Sequence, residues 1–96
     1  MFVILIRYLK SLSEIEKVVD SHRAFLDRYY QSGHLIASGP QVPRSGGVIL
    51  AKASSREELV KIFSEDPFVN QGLAEYQYIE FVPVKKTAAF DSILTG

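Results

Sequence analysis

The stretch VILAKASSREELVKIFSEDPF, residues 48–68, contains a strand, the start of a helix and the end of that helix in close succession. Residues 48–53 form a short, mainly apolar run, which predicts a β-strand. A serine followed three residues later by a glutamate is typical of a helix N-terminus, because the two side chains bond free backbone N–H groups. Ser54 and Ser55 both fit this pattern, and the sequence leaves the choice between them open.

The helix that follows has one apolar face and an unusual end. Pro67 disfavours the α conformation in the residue before it, so the helix is predicted to finish at or just before Asp66. A carboxylate in a last helical turn lies at the negative end of the helix dipole, which costs roughly 0.3–1 kcal/mol. Asp66 also occupies the next core-facing place in the series Leu59, Ile62 and Phe63.

Towards the N-terminus, the chain begins with another strand and a longer helix. Residues 2–9 are mainly apolar on both alternating faces, which predicts a strand that is covered on both sides. Ser13 and Glu16 form a capping box, and the helix is predicted to run from there to about Ser32. Its apolar face, spaced by three and four residues, comprises Ile15, Val18, Val19, Phe25, Leu26 and Tyr29. His22 lies on that same face.

The remaining segments complete a β-α-β-β-α-β order. Residues 35–38 form a short strand, a loop covers residues 41–47, and residues 75–84 form the last strand. This order is typical of the α+β ferredoxin-like fold, in which right-handed crossovers place both helices on one face of an antiparallel sheet. The domain is predicted to span residues 1–86. Residues 87–96 are a C-terminal tail that forms a short helix, an arm over a neighbour or a mobile end.

The second face of this sheet is predicted to be a subunit contact. Both faces of the first strand are apolar, and Ile79 and Phe81 alternate with other apolar side chains on the last strand. An exposed apolar sheet face is a liability for a monomer, and a chain of 96 residues has a small core. We therefore expect a homodimer through the open sheet face, with two-fold symmetry.

Composition and charge exclude several classes of protein. The 11 basic and 11 acidic residues cancel, whereas a nucleic-acid-binding domain needs a basic face to displace counterions. The absence of cysteine removes disulfides, thiolate metal sites and a cysteine nucleophile. The apolar start is interrupted by Arg7 and lacks the flanks of a signal peptide, and no run approaches the roughly 20 residues of a membrane span. A cytoplasmic protein with neither nucleic-acid nor membrane partners is expected.

His22 and Asp66 are the residues with the strongest chemical potential. Each breaks the apolar pattern on the inward stripe of its helix, and such breaks concentrate at functional sites. A carboxylate beside an imidazole stabilises its charged form and fixes its tautomer, which gives a general acid or base usable near neutral pH. Two structural readings stay open: a buried polar pair that serves packing specificity, and an Asp-Pro turn.

Other polar residues are weaker candidates for the same pocket. Ser38 is placed to donate to a ligand oxygen, and Gly39 allows a turn or a close approach of the backbone, although an ordinary strand end explains both. Arg7, Tyr8, Tyr76 and Tyr78 are possible pocket liners, although tyrosine is also a good strand former. No metal site or cofactor is predicted, because the two histidines lie twelve residues apart with no suitable ligand set.

The ordered set of these residues resembles the YCII-related (YciI-like) family. The matching residues are His22, Ala37-Ser38-Gly39-Pro40, Asp66-Pro67-Phe68-Val69 and Gly72. The resemblance extends from Phe2 to about Lys86 and implies a dimeric α+β barrel, similar to muconolactone isomerase, with a His–Asp active site at His22 and Asp66. One family member is a dehydrochlorinase of a chlorinated hydroxyhydroquinone. Some relatives carry an arginine three residues before the histidine, where this chain has Val19.

The leading hypothesis is a small cofactor-independent enzyme, similar to a lyase or isomerase, that transfers a proton on a cyclic oxygenated small molecule. His22 would move the proton, Asp66 would orient it, and Tyr8, Ser38, Gly39 and Phe68 would shape the pocket. The alternatives are a dimeric module that binds a small metabolite without catalysis, and a domain that serves only oligomerisation.

Overall fold

The computed structural model describes residues 1–95, which form four strands and five helices. In chain order these are β1 (Phe2–Tyr8), α1 (Leu12–Glu16), α2 (Val19–Gln31), β2 (Leu35–Pro40), β3 (Gly46–Ala51), α3 (Arg56–Phe63), α4 (Pro67–Asn70), β4 (Ala74–Glu80) and α5 (Ala88–Thr95). The strands pair antiparallel in the order β2-β3-β1-β4. This arrangement confirms the predicted ferredoxin-like α+β fold.

The core lies on one face of the sheet. Phe2, Ile4 and Ile6 of β1 are buried, whereas Val3 and Leu5 between them are only partly covered. Residues on the buried face pack with the inward side chains of the helices, which include Ile15, Phe25, Leu59 and Phe63. Within the single chain, therefore, only one of the two apolar faces of β1 is covered.

The first helix begins earlier than predicted and is divided. Its N-cap is Ser11, whose hydroxyl accepts from the backbone N–H of Glu14, while Ser13 Oγ bonds Ser11 Oγ instead of capping. The prediction of a capping box at Ser13 was therefore wrong. The helix is interrupted at Lys17, where two β-branched valines follow, and α2 starts without a side-chain cap. His22 lies near the start of this second piece.

Helix α3 begins at one of the two serines between which the sequence left the choice open, and it ends before the predicted residue. Ser55 Oγ accepts from the N–H of Glu58, so Ser55 is the N-cap of α3. The helix finishes at Phe63, with Ser64 as its C-cap. The chain then makes a turn and starts α4 at Pro67. Asp66 thus belongs to the junction between two helices.

The strand ends differ from prediction by a few residues, for identifiable reasons. β2 continues through Pro40, which is tolerated because β2 is an edge strand that needs fewer backbone donors. β3 starts two residues earlier, at Gly46, in register with Arg7 of β1. β4 ends at Glu80 because its partner β1 begins at Phe2.

The C-terminal segment forms helix α5, one of the three alternatives left open for the tail. The Lys52 ammonium donates to the carbonyl of Ile93 at 2.6 Å, which ties this helix to the end of β3. Gly96, the last residue of the predicted tail, lies outside the described residues. In residues 1–95 no helix has the length and apolar character needed to cross a membrane.

Candidate active site

His22 and Asp66 form a buried pair that joins two separate parts of the chain. The Nδ1 atom of His22 lies 2.9 Å from Oδ1 of Asp66, although the two residues are 44 positions apart in sequence. Asp66 is fully buried and His22 retains 8% exposure. An ionised carboxylate can only accept hydrogen bonds, so Nδ1 carries a proton, and in the neutral imidazole Nε2 then has the free lone pair.

Asp66 occupies a helix N-cap, which reverses part of the sequence-based interpretation. It has an extended backbone, as expected before proline, and its Oδ1 accepts from the N–H of Phe68 at 3.0 Å. Pro67 suits the first helical position because its missing N–H would have no partner there. The predicted cost of a carboxylate at a helix C-terminus was therefore wrong. The carboxylate instead serves as a cap and as a partner of His22.

The second carboxylate oxygen of Asp66 accepts a hydrogen bond from the hydroxyl of Tyr76 on β4. Burial and the neighbouring Asp66 carboxylate raise the pKa of Tyr76 well above its ordinary value. Burial, followed by the charge of Asp66, also raises the pKa of Tyr78 to about 12. Both phenols thus stay protonated at neutral pH, and Tyr76 remains a hydrogen-bond donor to the carboxylate.

The imidazole of His22 is held by a ring contact as well as by Asp66. It stacks on Phe68 with centroids 3.8 Å apart and an angle of 7° between the planes. Within residues 1–95, Nε2 has no hydrogen-bond partner, yet no fully buried side-chain nitrogen or oxygen there lacks one. Nε2 therefore reaches solvent. One ring nitrogen is anchored and the other is free to react.

A cavity of about 290 Å³ lies in front of His22, between α2, the start of α4 and the sheet. This volume is close to the lower end of the range for small-molecule sites, roughly 300–1,000 Å³. Its lining combines apolar side chains with a few polar groups. The lining residues with aromatic, hydroxyl or charged side chains are Tyr8, His22, Arg23, Ser38, Arg44 and Phe68.

The structure brings together most of the predicted site residues. His22, Ser38, Gly39, Tyr8 and Phe68 all line the cavity, and Asp66 stands behind His22 without lining it. The hydroxyl of Ser38 is 2.6 Å from that of Tyr30, so it is already engaged in a hydrogen bond. A Cβ atom added to Gly39 would meet nothing within 4 Å, so no close packing requires glycine at this place.

Three of the possible pocket liners have other roles. Arg7 forms an ion pair with Glu75, its cross-strand neighbour on β4, and both side chains are largely exposed. Tyr76 contacts Asp66 and packs against Phe63, while Tyr78 also faces the ring of Phe63. None of the three lines the cavity.

Sequence reasoning missed the two arginines of the cavity, Arg23 and Arg44. Arg23 follows His22 on α2 and lies one turn after Val19, another lining residue, so helical spacing contained the signal. Arg44 lies in the loop between β2 and β3, and no sequence pattern predicts where such a loop folds. The Tyr8 hydroxyl and the Glu16 carboxylate raise the pKa of Arg44 above its ordinary value.

The described part of the chain contains no group of three or more histidine, cysteine, aspartate or glutamate side chains placed to hold one metal ion. The His22–Asp66 pair supplies only two such side chains, and both oxygens of the carboxylate already accept hydrogen bonds.

The model of the YCII-related domain family matches residues 1–82 of the chain. This protein belongs to the YCII-related domain family. No curated protein sequence matches the chain. The matched residues include the His22–Asp66 pair, the residues that line the cavity and the helix α4 that Asp66 caps. Helix α5 lies beyond the matched residues.

Among solved structures, this YCII-related domain is similar to the 5-chloro-2-hydroxyhydroquinone dehydrochlorinase of Burkholderia phenoliruptrix AC1100, in complex with 2,5-dihydroxybenzoquinone. The two chains share 19% sequence identity and superpose with a TM-score of 0.70, over 85% of this chain and 94% of the dehydrochlorinase. At this identity the likeness supports the shared fold.

Proposed function

We propose that this protein is an enzyme that transfers a proton on a small cyclic oxygenated substrate, with His22 as the acid–base group and Asp66 as its positioning residue. The observation that carries the proposal is the anchored imidazole. Its Nδ1 lies 2.9 Å from the Asp66 carboxylate, while the rest of the ring borders a cavity of about 290 Å³. A general base needs this combination of fixed tautomer and substrate access.

The proposed step begins when Nε2 of His22 takes a proton from a substrate carbon next to a carbonyl group. The electron pair of the broken C–H bond moves towards the carbonyl oxygen and gives an enolate, while the imidazole becomes an imidazolium beside Asp66. Return of the proton to another atom of the substrate completes an isomerisation. Loss of a leaving group with its bonding pair from the neighbouring carbon, followed by release of the proton from the imidazolium to water, completes an elimination. Neither route changes the total number of electrons, so the step needs no redox cofactor.

The other cavity residues would define where the substrate ring lies. Phe68 and Tyr8 supply aromatic surfaces that contact each other edge to face, with centroids 6.1 Å apart. Ser38 and Gly39 border the cavity from β2. A flat, partly apolar ring with oxygen substituents suits such a lining. The similar dehydrochlorinase, which was solved with a dihydroxybenzoquinone, supports this substrate class.

The test compares His22→Ala with His34→Ala, which removes the other histidine of the chain. His34 contacts Ser32 and Glu58 on another part of the surface, so it is a matched control. The readouts are chloride release from 5-chloro-2-hydroxyhydroquinone and exchange of the ring hydrogens of 2,5-dihydroxybenzoquinone with deuterated water. We expect at least one activity in the wild type and in His34→Ala, and a loss of about 100- to 10,000-fold in His22→Ala.

Circular dichroism of each variant separates loss of function from loss of fold. Activity that survives in a folded His22→Ala protein would overturn the assignment. A wild type that binds the quinone without either activity would favour the alternative, a metabolite-binding module. A wild type that neither binds nor reacts would reject the substrate class.

We also propose that the protein is a homodimer through the open face of the sheet. Val3 lies opposite Leu50 on one side and Ile79 on the other, which forms an apolar row across three strands. Ile79 is 40% exposed and Phe81 is 39% exposed in the single chain. Covering these side chains with the same face of a second copy would remove them from water.

Sedimentation equilibrium tests this contact, with Val60→Lys as a control for Ile79→Lys. Val60 is exposed on α3, away from the sheet face. We expect twice the monomer mass of 10.8 kDa for the wild type and for Val60→Lys, and the monomer mass for Ile79→Lys. A monomeric wild type, or a dimeric Ile79→Lys protein, would contradict the proposal.

A further inference from the structure

The cavity in front of His22 has an uneven distribution of charge. Arg23 and Arg44 both line it, and within the described residues no aspartate or glutamate does. The chain as a whole has no net charge, with 11 basic and 11 acidic residues. The two guanidinium groups at one opening are therefore a local feature that the overall composition conceals.

The nearby carboxylates cancel only part of this charge. Asp66 is buried behind the imidazole, and its two oxygens already accept from His22, Phe68 and Tyr76. Glu16 forms an ion pair with Arg44, which reduces the charge at the opening from two to about one. Arg23 is exposed and forms no ion pair in residues 1–95.

The two arginines line the cavity from different elements of the fold. Val19, His22, Arg23 and Leu26 border the cavity from one face of α2, while Arg44 comes from the loop after β2. The guanidinium carbon of Arg44 is 5.9 Å from the centre of the Tyr8 ring, which holds it against the cavity wall. A planar guanidinium presents paired donors that match the two oxygens of a carboxylate.

We propose that the natural substrate carries a carboxylate, which Arg23 binds at the opening with the help of Arg44, while the reacting carbon faces His22. The chlorinated hydroxyhydroquinone and the benzoquinone named above lack this group and test the proton transfer alone. This inference rests on the proposed function and names the charge of its substrate. Arg23 is adjacent to His22 on the same helix, so an anion held there places the remainder of a small ring inside the cavity. Because the two arginines also attract anions from a distance, they raise the rate of encounter at low salt.

Benzoate and its neutral counterpart benzamide test the proposal without any chemical step. Chemical-shift changes of the His22 and arginine side chains follow the binding of each compound to the full-length protein. We expect benzoate to bind at millimolar concentrations, to bind more weakly as salt is added, and to bind about tenfold or more tighter than benzamide. Arg23→Gln should weaken benzoate binding about tenfold, and Arg23→Lys should weaken it less.

Arg56→Gln is the matched control, because Arg56 is exposed at the start of α3 and does not line the cavity. It should leave benzoate binding unchanged. Equal binding of benzoate and benzamide, no binding of benzoate, or full affinity in Arg23→Gln would each overturn the inference. Benzoate binding needs no proton transfer, so a wild type that binds benzoate but shows neither activity would separate a failure of the proton-transfer proposal from a failure of this one.

Discussion

The imidazole of His22 lies parallel to the phenyl ring of Phe68, with centroids 3.8 Å apart and 7° between the planes. Phe68 is itself buried, and its backbone N–H bonds the carboxylate that holds His22. The same short helix thus fixes the imidazole in two ways, through the Asp66 cap and through the ring that follows it. This arrangement restricts the rotation of the imidazole about its side-chain bonds.

Phe68→Leu should lower kcat strongly, with only a small loss in the free energy of unfolding. Leucine keeps an apolar side chain but loses the flat surface on which the imidazole rests, a contact worth about 0.5–1.5 kcal/mol. Displacement of a catalytic ring by a fraction of an ångström is expensive, so we expect kcat to fall about tenfold or more. Phe25→Leu is the control, since Phe25 is equally buried but contacts Tyr29 and Phe63 away from the cavity. Equal kcat values in the two variants would contradict this role of Phe68.

Asp66→Asn should separate the charge of Asp66 from its capping role. The amide oxygen can still accept from the N–H of Phe68, so the start of α4 should persist. Removal of the charge weakens the hydrogen bond to His22, and the amide nitrogen cannot accept from the hydroxyl of Tyr76, so kcat should fall about 100-fold. Asp27→Asn, an exposed position on α2, controls for the removal of one acidic residue. Wild-type kcat in a folded Asp66→Asn protein would reject Asp66 as a positioning residue.

The stability of the protein should fall as the pH rises above about 10, and Tyr76 should contribute to that fall. Because the pKa of Tyr76 is raised in the folded state, the unfolded chain releases this proton first, from an ordinary value of 10.0. Between pH 10 and 12, a tyrosine that is protonated in the folded protein and ionised in the unfolded chain lowers the free energy of unfolding by about 1.4 kcal/mol for each pH unit.

Urea unfolding at several pH values measures this dependence. Tyr76→Phe and Tyr78→Phe should each make the decline shallower between pH 10 and 12. The effect of Tyr78→Phe should end near pH 12, the pKa to which Tyr78 is raised. Parallel stability curves for the wild type and Tyr76→Phe above pH 10 would contradict the raised pKa of Tyr76.

Gly46→Ala should disturb the pairing between β3 and β1, the two central strands of the sheet. A Cβ atom at this position would lie 1.7 Å from the carbonyl oxygen of Ile6, which belongs to the paired strand β1. Neither backbone can move far without loss of the β1–β3 register, so we expect a loss of about 3 kcal/mol or more in the free energy of unfolding. Gly39→Ala, where a Cβ would meet nothing, should change it by no more than about 0.5 kcal/mol. Similar losses in the two variants would contradict this explanation.

Local sequence patterns predicted the order of elements well and their ends less well. Apolar alternation and helical spacing located every strand and both crossover helices, because these patterns reflect burial on one face of each element. The break at Lys17 was missed because α2 starts after it without a side-chain cap, and α3 ends at Phe63, a few residues before the predicted end. At the start of α1, Ser11 and Ser13 compete as the N-cap. Ser11 replaced Ser13 for this reason, and Asp66 caps a new helix instead of closing an old one.

The sequence by itself determined that a histidine and an aspartate occupy inward positions on two elements of one small α+β domain. It determined this because periodicity alone reveals which residues face the core. Only the tertiary structure decided that the two side chains meet at 2.9 Å, that Tyr76 donates to the same carboxylate, and that Arg23 and Arg44 flank one cavity. Those contacts join residues distant in sequence, and their geometry depends on how helices and loops pack on the sheet.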